Sequence, residues 1–361
     1  MKQLPEKMKA VVCYGPGEYK LEELPRPKAE SGEVIIKVTA CGICAGDVKA
    51  AHGADMFWGG DDPWVKVPFI PGHEFFGVVV ELGEGAANLH NVALGDRVIA
   101  EQINPCGSCR FCRNGQYWMC EVHNIYGFQS KVADGGMAEY MRLHKTARIH
   151  KIPENVSYKD AAFIEPMACS IHAVQRAKIE LDDVVVLAGA GPLGMGMIQT
   201  VALKNPKKFI VLDMDDSRLE LARKYGADLV INPSKENAEK IVKDLTGGYG
   251  CDVYIEATGH PAGVKQGLQM IRKLGRFVEF SVFGSESTVD WSIIGDRKEL
   301  DILGAHLGPY SYEIAIDLYS RGKITADDFV THSYPLDEFE KGFETASSTE
   351  SIKTLLVMDR D

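Results

Sequence analysis

Cys106, Cys109, Cys112 and Cys120 lie within fifteen residues, with two, two and seven residues between successive members. Four thiolates at that spacing can converge inside one short lobe. A closed all-thiolate set suits tetrahedral zinc with no open position, which makes it a structural site. An iron–sulfur cluster is the competing occupant, but the run lacks the CxxCxxCxxxCP pattern. A second set is scattered along the chain: Cys44 in CGICAGD, His73 and Glu74 in IPGHEF, and Glu165 in FIEPMACSIHA. A lone Cys or His is more often core than ligand. Here GHE follows a Pro-Gly turn, comes after CGIC and precedes a glycine-rich strand–helix unit, and that context favours ligation. Mixed Cys, His and carboxylate ligation that leaves one position for water or substrate is what hydrolytic or hydride-transfer zinc needs.

The glycine-rich unit is VVVLAGAGPLG, Val184 to Gly194, with Gly189, Gly191 and Gly194 in GxGxxG register. The three glycines would serve a tight turn, close approach of backbone to a pyrophosphate, and close packing of helix on strand. The helix that follows, beginning with Pro192 and Leu193, offers unpaired N–H groups and a positive dipole end to the phosphates. The next strand, FIVLD, ends in Asp213, nineteen residues past Gly194. A carboxylate there can take both adenosine-ribose hydroxyls and would repel a 2′-phosphate, which favours NAD over NADP. Arg218 is close enough in sequence to soften that preference, or is a solvated helix charge. Thr258 and Phe283, which follow later strands, complete the expected cofactor contacts.

These groups need elements to hold them. The first part of the chain reads as short β segments separated by Gly and Pro: Lys9 to Cys13, Glu33 to Cys41, Phe76 to Leu82 and Arg97 to Ala100. That texture suggests an antiparallel β-rich domain. From Asp183 onward apolar runs alternate with helical segments, including PLGMGMIQTVALK, SRLELARKYG, ENAEKIVKDL and PAGVKQGLQMIRKL. Such alternation implies a parallel sheet covered on both faces. The alternation fades near Ala305, so the tail is expected to rejoin the first domain. At 361 residues two domains are expected. The formal net charge of −11 argues against a general nucleic-acid surface. No apolar run reaches the ~18 residues of a membrane helix. The N-terminus, MKQLPEKMKAVVCYG, lacks the apolar core of a signal peptide, so a cytoplasmic location is expected and metal is favoured over disulfides at the CxxC steps. Cys13, Cys41, Cys169 and Cys251 read as small core residues.

Together these motifs resemble the zinc-containing medium-chain dehydrogenase/reductase superfamily, over essentially the whole chain. The resemblance implies a GroES-like catalytic domain, 1–165 with 306–361, interrupted by a Rossmann NAD-binding domain, 166–305. It also implies two zincs per chain, one catalytic and one structural. In the polyol dehydrogenase branch, which includes sorbitol dehydrogenase, Cys44, His73 and Glu74 would sit at the catalytic zinc. Glu165 replaces the second cysteine of the alcohol dehydrogenases and would bind directly or through water. Asp47 matches the carboxylate that orients the zinc histidine. The blocks KDLTGGYGCDVYIEATGH, RFVEFSVFGSESTVDWSII and KELDILGAHLGPY are similar to erythritol/L-threitol dehydrogenases. That implies oxidation of a secondary hydroxyl of a small polyol to a ketone, with NAD taking the hydride, in a homodimer or homotetramer.

One position departs from the family: Gly46 stands where Ser or Thr usually starts a proton relay. Water near Glu165, the cofactor ribose, Lys49 and His52 are alternative carriers. Trp58, Trp64, His52, His306 and Tyr310 are candidate substrate contacts. Butanediol, sorbitol or L-threonine 3-dehydrogenase activity are the rivals within the family, and a non-catalytic nucleotide-binding protein is the rival outside it.

Overall fold

The computed structural model describes residues 4–358. The chain forms two compact units: Met1–Glu165 together with Tyr312–Asp361, and Pro166–Ser311. The return to the first unit comes at Tyr312, later than the expected 306. Gly308 explains the delay. Its backbone lies so close to Ala168 and Cys169 that an added Cβ would sit 2.6–2.7 Å from their backbone atoms, which ties the segment to the second unit.

The first unit is built on a seven-stranded sheet. Its main path runs Val330–Pro335, Lys353–Val357, Val34–Ile43, Glu74–Leu82, Arg97–Ala100 and Ile149–Lys151, with Tyr140–Leu143 pairing the third of these. The β-branched run Val34-Ile35-Ile36 is fully buried and fits a pleated, packed surface. Around it gathers a core that includes Val38, Phe75, Val98, Met141, Phe339 and Leu356. The tail strand Lys353–Val357 is interior to the sheet: it runs antiparallel to Val34–Ile43 and parallel to Val330–Pro335. The C-terminal segment is therefore part of the scaffold.

The second unit is a six-stranded parallel sheet in the order Leu229–Ile231, Lys208–Leu212, Val184–Ala188, Cys251–Glu256, Ile271–Glu279, Asp301–Gly304. This is the doubly wound arrangement in which strand order reverses beside the first strand. Val185, Val186 and Leu187 are all inaccessible, as expected for strands covered on both faces. The helix Pro192–Lys204 opens with Pro at its first turn and is buried from Gly194 to Val201. One expected helix is shorter than its apolar pattern suggested. PAGVKQGLQMIRKL is helical only over Pro261–Met270; Ile271, 1 % exposed, already pairs with Cys251 as strand, so sheet burial outweighs helical periodicity. Among the described residues no helix is long and apolar enough to cross a membrane.

Candidate functional site

Cys44 caps the short helix Ala45–Ala51. Its Sγ accepts the Gly46 N–H at 3.4 Å, while its own N–H donates to Asp47 Oδ2 at 2.9 Å. Asp47 is thereby fixed at a helix N-terminus with its other oxygen turned inward. That oxygen, Oδ1, faces His73 Nδ1 at 3.7 Å, and both atoms are buried with no hydrogen-bond partner. At 3.7 Å this is an electrostatic contact rather than a hydrogen bond, but it places a carboxylate on the Nδ1 side of the ring and leaves Nε2 as the nitrogen that could meet a metal. Phe128 packs on the imidazole with ring centroids 5.5 Å apart.

Glu74 opens the strand that begins beside His73, and its cross-strand partner is Gly42 of CGIC. A Cβ on Gly42 would lie 2.1 Å from Glu74 Oε2, so the space that this glycine leaves is filled by the carboxylate. Both Glu74 oxygens accept from Lys353 Nζ, at 2.6 and 2.7 Å, and the ammonium also donates to the Ile43 carbonyl at 3.2 Å. Lysine and carboxylate are each 3 % exposed. Sequence reasoning missed Lys353. Its signal, a lysine heading the apolar strand KTLLV, is faint, and its partner lies 279 positions away.

One ligand atom each from Cys44, His73 and Glu74 lies within 4.8 Å of the others. Glu165 is outside that cluster but close enough for its charge to act on His73 and Lys353. It is 5 % exposed and accepts from Gln102 Nε2 at 2.5 Å. Burial alone would push the His73 imidazole down, but Asp47, Cys44 and Glu165 together hold it well above its ordinary value. Lys353 likewise is raised against the effect of burial by Glu74, Cys44 and Glu165. A buried pocket with carboxylates gathered this way favours a cation, and Cys44, His73 and Glu74 together could hold a metal ion such as zinc.

The second thiol set closes on itself. All four Sγ atoms of Cys106, Cys109, Cys112 and Cys120 lie within 4.8 Å of one another. The Cys106–Cys112 separation is 4.0 Å, against about 3.8 Å for the edge of a tetrahedron with ~2.3 Å metal–sulfur bonds. Backbone N–H groups of Cys109, Cys112 and Cys106 point at the sulfurs of Cys106, Cys109 and Cys120 at 3.3–3.5 Å. These contacts stabilise thiolates: hydrogen bonds from Ser108 and Cys109 lower Cys106 to about 6, and the Cys112 N–H lowers Cys109. Burial instead raises Cys112 to about 12. All nine cysteines are free thiols, which leaves no disulfide to compete for the lobe.

In the second unit the glycine loop separates its three duties. Gly189 has φ +100°, and a Cβ there would meet the Ala257 carbonyl at 2.7 Å and Thr258 N at 3.0 Å. At Gly194 a Cβ would lie 2.1 Å from the Gly189 carbonyl oxygen. Gly191 has nothing within 4 Å, so no protein atom requires glycine at that position. A vacant approach at the head of Pro192–Lys204, where Pro192 and Leu193 form the first turn, fits a pyrophosphate. Asp213 is bound to this loop: Oδ2 accepts from Ala190 N at 2.7 Å and Oδ1 from Asp215 N at 2.9 Å. Arg218 lies in the first turn of the next helix, its N–H on Asp215 Oδ1 at 3.3 Å. Thr258 is brought beside Gly189 and donates its N–H to Glu256 at 2.9 Å. Phe283 is half-buried beyond the strand Ile271–Glu279.

Of the candidate substrate contacts, Trp64 packs at a tilt against Phe128 with ring centroids 5.1 Å apart, one ring removed from His73. Trp58 instead donates Nε1 to the Ala50 carbonyl at 2.7 Å, a packing role. His52 is exposed at the end of the Cys44-capped helix. His306 and Tyr310 belong to the second unit, Tyr310 being 56 % exposed. Lys49, the other suggested proton carrier, is half-buried in the last turn of Ala45–Ala51. Phe128, Gln102 and Tyr312 were not foreseen; each arrives from a different segment, with no spacing to betray it.

Comparison with known proteins gives the same picture. Residues 30–154 match the alcohol dehydrogenase GroES-like domain family, and residues 192–321 match the zinc-binding dehydrogenase family. The chain is 53 % identical to erythritol/L-threitol dehydrogenase of Mycolicibacterium smegmatis over 98 % of this chain and 99 % of that protein. Among solved structures it is similar to a zinc-binding dehydrogenase of Sinorhizobium meliloti bound to NADP, at TM-score 0.88, 28 % identity, and coverage of 98 % and 100 % of the two chains. It is also similar to 2R,3R-butanediol dehydrogenase of Bacillus subtilis, at TM-score 0.87, 29 % identity and the same coverage.

Proposed function

Because this chain belongs to the zinc-binding medium-chain alcohol dehydrogenases, we propose that it oxidises a secondary hydroxyl of a small polyol, of the erythritol or L-threitol kind, to a ketone with NAD. The observation that carries this reading is the buried Cys44–His73–Glu74 cluster, with Glu165 beside it, in a chain so similar to a tetritol dehydrogenase. Zinc bound there supplies Lewis acidity that brings an alcohol pKa toward neutrality, and NAD supplies the hydride acceptor.

The residues divide that work. Cys44 and His73 would hold the metal, and Asp47 fixes the His73 ring so that Nε2 is presented. Lys353 neutralises Glu74 and keeps its two oxygens engaged, so Glu74 acts chiefly as a tethered charge at the cluster's edge. Glu165 accepts from the neutral Gln102 amide, and it is the carboxylate suited to meet the metal through water or to relay a proton. Gly46 brings no hydroxyl to that relay. In the second unit the N–H groups at the head of Pro192–Lys204 would bind pyrophosphate and Asp213 the adenosine ribose, which makes NAD the preferred dinucleotide. Thr258 and Phe283 would flank the cofactor, and Arg218 would lie near the ribose. The four-cysteine lobe would hold a second, structural zinc. Free cysteines in both sets suit a cytoplasmic setting.

The test is reduction of NAD and of NADP across erythritol, L-threitol, sorbitol, 2,3-butanediol and L-threonine. The tetritols with NAD should give the highest kcat/KM, with NADP poorer by about a hundredfold if the lost ribose bonds and repulsion cost ~3 kcal/mol. Faster turnover of L-threonine, or a preference for NADP, would replace this reading.

A further inference from the structure

Gln102 lies just past the strand Arg97–Ala100, is 2 % exposed, and connects Glu165 to Tyr312. The directions of the three bonds that link them follow from the donors and acceptors present. The Gln102 backbone N–H donates to the Tyr312 hydroxyl at 3.4 Å, so the phenol proton is directed to Gln102 Oε1, at 2.6 Å. With its oxygen committed to a donor, the amide must present Nε2–H to Glu165 Oε1, at 2.5 Å. Tyr312 is itself immobilised. It is inaccessible to solvent and stacks on His150 with centroids 5.4 Å apart and planes 14° apart, and His150 in turn meets Glu101 at 3.1 Å.

The two carboxylates near the metal cluster are thus tethered differently. Glu74 is gripped by a cation and has an oxygen within the 4.8 Å cluster. Glu165 is gripped by a neutral amide and lies outside that cluster, though its charge is felt by His73. We propose that Gln102, oriented by Tyr312, is a positioning residue that retains Glu165 outside the Cys44–His73–Glu74 cluster and thereby keeps a position at the metal open for substrate. This rests on the reading of Cys44 and His73 as ligands of a catalytic zinc.

The sign of the consequence separates this role from ordinary structural support. A partner that supports a bound ligand weakens metal binding about 10–100-fold when removed. Gln102 restrains a carboxylate that is not among the clustered donors. Its removal lets Glu165 close on the metal as an added anionic ligand, so the metal is held more tightly while the open position is lost.

The experiment uses the full-length, zinc-loaded enzyme. Zinc release to a chelator is followed for wild type, Gln102→Met and Tyr312→Phe, with the four-cysteine zinc as internal reference and Cys44→Ala identifying the catalytic one. In Gln102→Met, catalytic zinc should leave about tenfold more slowly, the outer-shell effect with reversed sign, with kcat reduced by a similar factor and KM for NAD unchanged. Tyr312→Phe deletes one hydroxyl, preserves the ring stack, and should shift both rates the same way by less. It decides the matter alone if Gln102→Met does not fold. Release at the wild-type rate or faster in the variants overturns the inference while leaving the catalytic-zinc reading intact. A Cys44→Ala protein with undiminished zinc content overturns both.

Discussion

Lys353 stays charged in a nearly dry site because three oxygens accept hydrogen bonds from its ammonium: both of Glu74 and the Ile43 carbonyl. Removing one partner of such a pair strands the other, so Lys353→Met should destabilise the protein by ~3–5 kcal/mol in urea unfolding, and adding Glu74→Gln should recover much of the loss. A fully stable single variant would mean that Glu74 is held by something else. Gly46 makes the opposite point. A Cβ there would contact Cys44 Sγ at 3.7 Å and His73 and Phe57 at 4.0 Å, all ordinary separations. Gly46→Ser should therefore fold within about 0.5 kcal/mol of wild type, and its kcat should change less than twofold at unchanged KM. A severalfold rise in kcat would reveal that proton removal is limiting for want of a hydroxyl, and the route by Glu165 would have to be given up. The glycine was readable in the sequence as a departure from the family; that its surroundings have room for a side chain was not.

The glycine loop and the cysteine lobe are local devices, and each splits cleanly under substitution. Gly194→Ala drives a methyl to within 2.1 Å of a backbone oxygen and should lower stability by ~1–3 kcal/mol through strain. Gly191→Ala meets no protein atom, and its φ of −72° suits alanine, so its melting temperature should match wild type while KM for NAD rises about tenfold or more. Equal losses of stability in both would show that Gly191 serves packing rather than the cofactor. At the lobe, Cys109→Ala should remove one zinc and lower thermal stability, because a closed thiolate set contributes folding energy. Cys44→Ala should remove the other zinc and abolish turnover with the fold retained; full activity in Cys44→Ala would end its assignment as a ligand. Zinc content and melting temperature, measured together, distinguish the two. Both devices were legible in the sequence because a turn or loop of fixed spacing brings its own groups together. The helix at Pro261–Met270 was legible only in part, since its last apolar residues serve the sheet instead.

At the scale of the whole molecule the tail is structural. Lys353–Val357 lies between Val330–Pro335 and Val34–Ile43, so ending the chain at Glu350 would expose the strand that carries CGIC and strand Glu74 without its lysine. Such a truncation should cost the first unit its folding and the Cys44 zinc, which zinc analysis and circular dichroism would show; the doubly wound unit, with its own core around Val186, Ile210, Tyr254 and Phe277, should keep its secondary structure. A soluble truncated protein with both zincs would contradict this. Sequence alone made the glycine loop with Asp213 after it and the four-thiol lobe legible, because turn geometry, strand–helix alternation and motif spacing are short-range, whereas Cys44 and His73 were paired only through the family resemblance. Only the tertiary structure decided which carboxylate is bound to what. Glu74 lies next to His73 in the chain, yet its oxygens go to Lys353, 279 residues away, and Glu165 is held by Gln102 and, behind it, Tyr312. Buried charges and amides must find partners wherever the sheet delivers them, and the register of strands distant in sequence leaves no local trace.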